Sequence, residues 1–232
     1  MSILIKLIKE LKEINYSGYI TFSRYNEPMS DIDTLKAVCA AIKKELPNCT
    51  LVSNTNGDFF NKENLTDLAI DELTIMDYDG LGINKCKERL KQAGCKITNI
   101  EYNFIYATFN NMKILYYVNW QENYIPGNRG GSLPIQTPIR TYPCTEPLYF
   151  IGINYDGTVS PCCNIRSDVF PHRSYLIGNL YNQSLQEILN SQKRKEFIEY
   201  CEKASFEVDS PCFKCTNTGG RYTRENGGIK YE

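Results

Sequence analysis

The stretch Phe150-Ile-Gly-Ile-Asn-Tyr-Asp-Gly-Thr-Val-Ser-Pro-Cys-Cys163 reads as two short strands about a tight turn. Phe150, Ile151 and Ile153 precede the turn and Val159 follows it, and Asp156-Gly157 supplies the backbone freedom that a hairpin reversal needs. A hairpin brings its two ends together. Cys144, ahead of the outgoing strand, therefore becomes the neighbour of Cys162, at the end of the returning one. Cys162 and Cys163 project to opposite faces of an extended strand, so only one of them can face a site. Further on, Ser184-Leu-Gln-Glu187 is a capping box that opens a helix with Leu185, Ile188 and Leu189 on one face. That helix runs towards Cys201 and returns the chain to Cys212-Phe-Lys-Cys215. Two thiolates at the hairpin base and two from a later C-x-x-C make an S4 ligand set, which zinc and iron–sulfur clusters both accept.

Upstream, the chain alternates between strand and helix periodicity. Ile3, Leu7, Leu11 and Ile14 repeat at helical spacing after Ser2, and Gly18–Ser23 is a short β-rich run. Leu35, Val38, Cys39, Ile42 and Leu46 form the next helical stripe, with Ser30 and Asp31 as capping candidates. Thr50–Ser53 reads as a strand, then a helix around Leu65 and Leu68, then a strand at Glu72–Met76. A helix carrying Ile83, Cys86 and Leu90 follows. Two β-like runs close this half, near 98–107 and 112–119, with Asn110-Asn111 as a hairpin signal. Such alternation implies parallel βα units, whose strands end on one shared edge where ligands bind. Arg24-Tyr-Asn-Glu27-Pro28, Asn54-Thr-Asn56-Gly57 and Asp77-Tyr-Asp79 fall at those ends. They converge on one binding site, with Glu27, Asn54, Asn56 and Asp77 as its candidate residues.

Residues 121–143 contain Pro126-Gly127, Gly130-Gly131, Pro134 and Pro138 and few periodic apolar positions. The expected organisation is one domain at 1–120, a connecting stretch at 121–143 and a second domain at 144–232. Net charge is −1, which gives no footprint for nucleic acid or an anionic membrane. No segment reaches the ~18 consecutive apolar residues of a membrane span. The opening residues read as an amphipathic helix and not a secretory signal, so the expected location is cytoplasmic. Ten cysteines in a reducing compartment point to metal or redox chemistry and away from disulfides. Cys39, Cys49, Cys86 and Cys95 show no ligand spacing, Cys201 reads as helix core, and His172 as an exposed loop residue.

Pro143-Cys144, Ile153-Asn-Tyr-Asp-Gly-Thr-Val-Ser-Pro-Cys-Cys163, Ile177-Gly-Asn179-Leu180, Ser184-Leu-Gln-Glu-Ile188 and Cys212-x-x-Cys215 together resemble the SPASM domain, or its shorter twitch form, of radical SAM enzymes. The resemblance implies that Cys144, Cys162, Cys212 and Cys215 hold an auxiliary [4Fe-4S] cluster, and it selects Cys162 over Cys163. Full ligation by four thiolates suits electron transfer. The first half resembles a radical SAM partial (βα) barrel from its second strand onward, giving an α/β fold followed by a small β-hairpin plus helix module. Asn26-Glu27-Pro28 is similar to the family's turn that contacts the amino group of S-adenosylmethionine (SAM), with Asn in place of Gly. Ser53-Asn-Thr-Asn-Gly57 resembles the family's Thr-Asn-Gly, and Asn128-Arg-Gly-Gly131 its Arg-Gly segment. The resemblance makes Glu27, Asn54, Asn56 and Asp77 candidates for cofactor binding.

The family's C-x-x-x-C-x-x-C motif is absent from these residues. The expectation is a radical SAM/SPASM-type oxidoreductase or modifying enzyme, inactive as given because it is either truncated or a degenerate relative that no longer cleaves SAM, acting on a small molecule or peptide. Its catalytic residues are unassigned. A missing first strand would leave strand 18–23 as an open edge and invite self-association. The rival reading is a non-catalytic iron–sulfur or zinc-binding accessory protein that pairs with a partner or holds a peptide.

Overall fold

A computed structural model describes residues 2–118 and 128–217, with the backbone of 222–223 and 230–231. Part of the expected connecting stretch (121–127), the end of the last β-like run at 119 and most of the last fifteen residues lie outside these. The chain divides into two compact units, residues 11–125 and residues 1–10 with 126–232. The first helix, α1 (Ile3–Glu13), begins in the second of these. No helix among the described residues is long and apolar enough to cross a membrane.

The unit at 11–125 is a mixed α/β fold on one six-stranded sheet. Its strands are β1 (Tyr19–Thr21), β2 (Thr50–Thr55), β3 (Glu72–Met76), β4 (Lys96–Glu101), β5 (Phe104–Phe109) and β6 (Met112–Tyr117), in the order β1-β2-β3-β6-β5-β4. β1, β2, β3 and β6 run parallel; β6, β5 and β4 are antiparallel. The helices between the parallel strands are α2 (Ile32–Glu45), α3 (Lys62–Leu65) and α4 (Gly82–Gln92). Where the sequence suggests two closing strands there are three. Tyr102 takes a left-handed conformation at φ 31° and splits the run at 98–107, as Asn110 does at φ 51° for the next reversal. Asparagine tolerates that region and announces itself, whereas tyrosine seldom adopts it and carries no turn signal. The helix expected around Leu65 and Leu68 is a single turn.

The register explains the core. Ser53 pairs with Leu73, Leu73 with Ile114 and Ile114 with Ala107, so one row crosses four strands. Thr55, Ile75, Tyr116 and Ile105 form the row beside it. All eight are buried, because strand alternation gives one face of each strand to the core. α4 covers this face: its Arg89 donates from Nη1 to the Tyr116 hydroxyl at 3.1 Å. α2 buries Leu35, Cys39 and Ile42 from its own apolar stripe.

In the other unit, β7 (Gly152–Ile153), β8 (Thr158–Ser160) and β9 (Gly178–Asn179) form a three-stranded antiparallel sheet. Asn154 N–H bonds to Thr158 O at 2.9 Å, leaving Tyr155-Asp156-Gly157 as the loop. Gly157 sits at φ 75°, and a Cβ there would lie 2.8 Å from Tyr181 and Ile3, so glycine is required twice over. The helices are α5 (Glu146–Tyr149), α6 (Leu185–Leu189) and α7 (Gln192–Lys203). The capping box at Ser184 and Glu187 is formed in full. What the sequence suggests as one helix is two, because Ser191 caps α7 afresh through a 3.2 Å bond from Arg194 N–H. Residues at the start of α1 join this unit: Lys6 Nζ donates to Gln183 O at 2.7 Å, and Glu10 accepts from Leu185 N–H at 2.7 Å.

Leu73, flanked by Ser53 and Ile114 on the central strand, tests the packing of the larger unit. Leu73→Ala is expected to lower its stability by about 2–5 kcal/mol, read as a fall in the urea midpoint at unchanged slope.

Candidate functional site

Five thiols meet in the smaller unit. Cys144, Cys162, Cys201, Cys212 and Cys215 line one cavity together with Arg140, Glu146, Pro147, Asn164, Phe197 and Asn217. They reach it from four pieces of backbone. Cys144 precedes α5, and its N–H bonds to Cys201 O at 3.1 Å, which docks the entering segment on the last turn of α7. Cys162 lies in the bend after β8, closed by Ile165 N–H to Cys162 O at 3.4 Å. Cys212 and Cys215 flank a turn in which Phe213 N–H bonds to Ser210 O and Cys215 N–H to Cys212 O, both at 3.1 Å. The four cysteines singled out from the sequence are thus brought together. Among the described residues, no three His, Cys, Asp or Glu side chains meet the spacing of a single-ion site. The thiols face one another around a free volume of about 20 Å³.

Arg140 holds the frame. It is 3% exposed and donates to the carbonyls of Tyr142 at 2.9 Å, Pro143 at 2.7 Å, Cys215 at 3.4 Å and Asn217. Its guanidinium also lies 4.3 Å from the Tyr142 ring centroid and 5.7 Å from that of Phe206. These acceptors are neutral, so a buried positive charge stands beside the thiols. The Cys144 thiol is lowered to about 6, first by the hydrogen bond from Cys201 and further by Arg140, against the cost of burial. Cys201 is pushed up by the same bond, by its bond to Cys212 and by burial. Burial raises Cys162 well above its ordinary value, with Cys163, Cys212 and Cys215 adding repulsion. Burial raises Cys215 too, partly offset by the amide of Asn164, whose Nδ2 lies 3.3 Å from Sγ. Several thiolates cannot coexist here with one guanidinium. A positively charged metal centre removes that conflict and deprotonates its ligands, so the donor set fits an iron–sulfur cluster.

Three readings from the sequence change. Cys201 is buried as core, yet its thiol reaches Cys144 and Cys212 and belongs to the cage. Cys162 and Cys163 lie beyond the end of β8, so a bend and not strand alternation separates them. Cys163 is half-buried, its Sγ accepting from Asn217 Nδ2 at 3.6 Å. His172 is 2% exposed and not a surface residue. Its Nδ1 accepts from Arg166 N–H at 3.1 Å and its Nε2 donates to Gly130 O at 2.7 Å, fixing the Asn128–Gly131 segment to the small unit. Arg140 and Asn164 carry no motif. The only signal for them is adjacency, Arg140 four residues before Cys144 and Asn164 two after Cys162.

At the other candidate site, in the larger unit, the parallel strands end as expected, but the acidic side chains there are engaged. Glu27 accepts from Met29 N–H at 3.0 Å, Thr55 Oγ1 at 2.7 Å and Asn56 N–H at 2.7 Å, tying the loop after β1 to the end of β2. Asp77 accepts from Leu81 N–H at 3.0 Å and Gly82 N–H at 3.4 Å, serving the first turn of α4. Asn56 closes on Asp58, its Nδ2 donating at 2.8 Å and its Oδ1 accepting at 3.0 Å. Asn54 turns its side chain to solvent. A carboxylate has about four acceptor sites, so Glu27 retains room for one further donor.

Residues 144–216 match the SPASM family, an iron–sulfur cluster-binding domain. Over 216 residues the chain is 20% identical to S-adenosyl-L-methionine-dependent 2-deoxy-scyllo-inosamine dehydrogenase of Niallia circulans, with 91% of this chain and 78% of that one covered. Among solved structures it is similar to BtrN in complex with AdoMet and 2-DOIA, with a TM-score of 0.73, 20% identity, and 98% of this chain and 84% of that one covered. It is also similar to selenomethionine BtrN in an open conformation, with a TM-score of 0.59, 16% identity and coverage of 99% and 84%. At these identities the structures show a shared fold.

Asp77→Ala strips the acceptor from two N–H groups of α4 and is expected to destabilise the larger unit by about 1–2 kcal/mol. Asn54→Ala, at an exposed position, is expected to stay within about 0.5 kcal/mol. Urea denaturation followed by circular dichroism measures both.

Proposed function

We propose that this chain, whose residues 144–216 match the SPASM family, is of radical SAM type and serves an oxidoreductase or modifying reaction by holding one auxiliary [4Fe-4S] cluster through Cys144, Cys162, Cys212 and Cys215. The observation that carries this is the cage itself, thiols from separate segments gathered beside a buried guanidinium. When bound, such a cluster supplies a one-electron acceptor. The chain's own part is mechanical and electrostatic. Arg140 fixes the segments before Cys144 and around Cys215 and offsets thiolate charge. Phe197 and Phe206 exclude water from one side.

By analogy with the relative that acts on 2-deoxy-scyllo-inosamine, we propose a hydroxylated small molecule as substrate, with dehydrogenation as the reaction. Turning an alcohol into a ketone removes two electrons and two protons. Radical chemistry takes one hydrogen atom, and the remaining electron and proton pass to an acceptor and a base. The polar edge with Glu27, Asn54, Asn56 and Asp77 is the proposed SAM-binding side, Glu27 offering its remaining acceptor site to the amino group. The 232 residues contain no C-x-x-x-C-x-x-C, so SAM cleavage needs those ligands from elsewhere. One observation favours the accessory reading instead: Glu27 and Asp77 already serve local structure. Equilibrium dialysis against SAM separates the two, since an accessory protein retains none.

Anaerobic reconstitution is expected to give a brown protein absorbing broadly near ~400 nm with about four irons per chain. Cys212→Ala, Cys215→Ala and Cys162→Ala are expected to lose it, and Cys163→Ala to keep it. Stoichiometric zinc without iron uptake would refute the cluster. In the same preparation, dithionite and SAM are expected to yield no 5′-deoxyadenosine by mass spectrometry; its appearance would show that the chain initiates radical chemistry alone.

A further inference from the structure

A cluster's reduction potential depends on its ligands and also on what hydrogen-bonds to the ligand sulfurs. Two side chains in the cage are aimed at those sulfurs without being among the four proposed ligands. Asn164 Nδ2 lies 3.3 Å from Cys215 Sγ. The turn that presents it is closed by Ile165 N–H on Cys162 O, and Ile165 is 1% exposed, so the amide is held in place by packing. The second is Cys201, on the last turn of α7. Its carbonyl accepts from Cys144 N–H at 3.1 Å, and its thiol lines the same cavity as those of Cys144 and Cys212, both of which pack against the apolar cluster it belongs to. Cys162, Ile165, Phe197 and Phe206 pack around it, which leaves the side chain little freedom to turn away.

We propose that Asn164 and Cys201 are positioning residues that set the potential of the auxiliary cluster, Asn164 by donating an N–H bond to the sulfur of Cys215 and Cys201 by donating its one S–H bond to the sulfur of Cys144 or of Cys212. This rests on the cluster assignment made above. Added electron density on reduction spreads over the thiolate sulfurs. A donor therefore stabilises the reduced form more than the oxidised one and makes the midpoint less negative. Low polarity around the cage strengthens each bond. Cys201 does not join the ligands, because four thiolates already complete the set.

The test is an EPR-monitored redox titration of the full reconstituted chain. Asn164→Leu and Cys201→Ala are each expected to keep about four irons. Each is also expected to lower the reduction equilibrium constant by about tenfold, ~59 mV more negative for a one-electron couple. Cys201→Ser, which restores a donor, is expected to recover most of the shift. In the unsubstituted protein, pulsed EPR is expected to show exchangeable protons coupled to the reduced cluster that vanish in deuterated buffer, a readout that needs no variant to fold. An unchanged midpoint in Asn164→Leu with iron intact, or no exchangeable coupling in the parent, overturns the donor role. Iron loss in Cys201→Ala makes Cys201 a ligand and also overturns it. A parent chain that takes up no iron removes the cluster assignment itself, and this proposal with it.

Discussion

A buried guanidinium with only carbonyls to bond is an unusual way to end a loop, and the small unit depends on it. Arg140 gathers the oxygens of Tyr142, Pro143, Cys215 and Asn217. These belong to stretches more than seventy residues apart. With the backbone bond from Arg140 N–H to Phe213 O at 2.7 Å and that from Thr137 Oγ1 to Lys214 O at 2.6 Å, this grip brings the approach to Cys144 beside the C-x-x-C. The charge serves a second purpose. Desolvating a cation is expensive unless negative charge stands nearby, and Cys144, the thiol held low, supplies that charge. The clamp and the cage thus justify each other. Hydrogen bonds fix where Arg140 sits, and the sulfurs account for why the residue is charged.

The edge of the large sheet uses the same economy of acidic groups for a different purpose. Glu27 and Asp77 stand at strand ends, where ligands bind in open α/β sheets, but their oxygens first meet the needs of turning backbone. Arg89 adds a third tie, donating to Gly57 O and Tyr116 while a glycine at φ 85° lets the chain pass beneath it. Such an edge is stiff before anything binds. What remains open on it is one acceptor site on Glu27 and the outward face of Asn54.

The sequence carried these features unequally. The alternation of strand and helix through β3 was plain, because parallel units bury one clean face per strand and Leu73, Ile75 and Ile114 mark it. The reversal at Tyr102 left no trace, since no turn residue occupies it. The break between α6 and α7 was hidden because Gln, Lys, Arg and Glu on either side are all good helix formers, and only the pair Asn190-Ser191 punctuates them. The cage cysteines could be picked out by order and spacing. Cys201 could not: a cysteine between Tyr200 and Glu202 on an apolar helix face is indistinguishable from packing until the fold shows its sulfur against two others. Likewise His172 sat in a Pro-Arg context that suggested exposure, while its two ring nitrogens turn out to join separate loops.

The contact of Glu10 with Leu185 has a consequence in time. Its two residues are 175 positions apart, and at about 5–20 residues per second a ribosome needs roughly 9–35 s to bridge that interval. Over that period Lys6 and Glu10 have emerged while the backbone groups they bond at Leu180, Gln183 and Leu185 do not yet exist. The apolar side of the nascent helix, Ile3 and Leu7 among it, waits uncovered on a growing chain. The contacts of α1 with this unit can therefore close only after Leu185 has been made. The segment that carries Lys6 and Glu10 thus finds its partners long after it has itself been made.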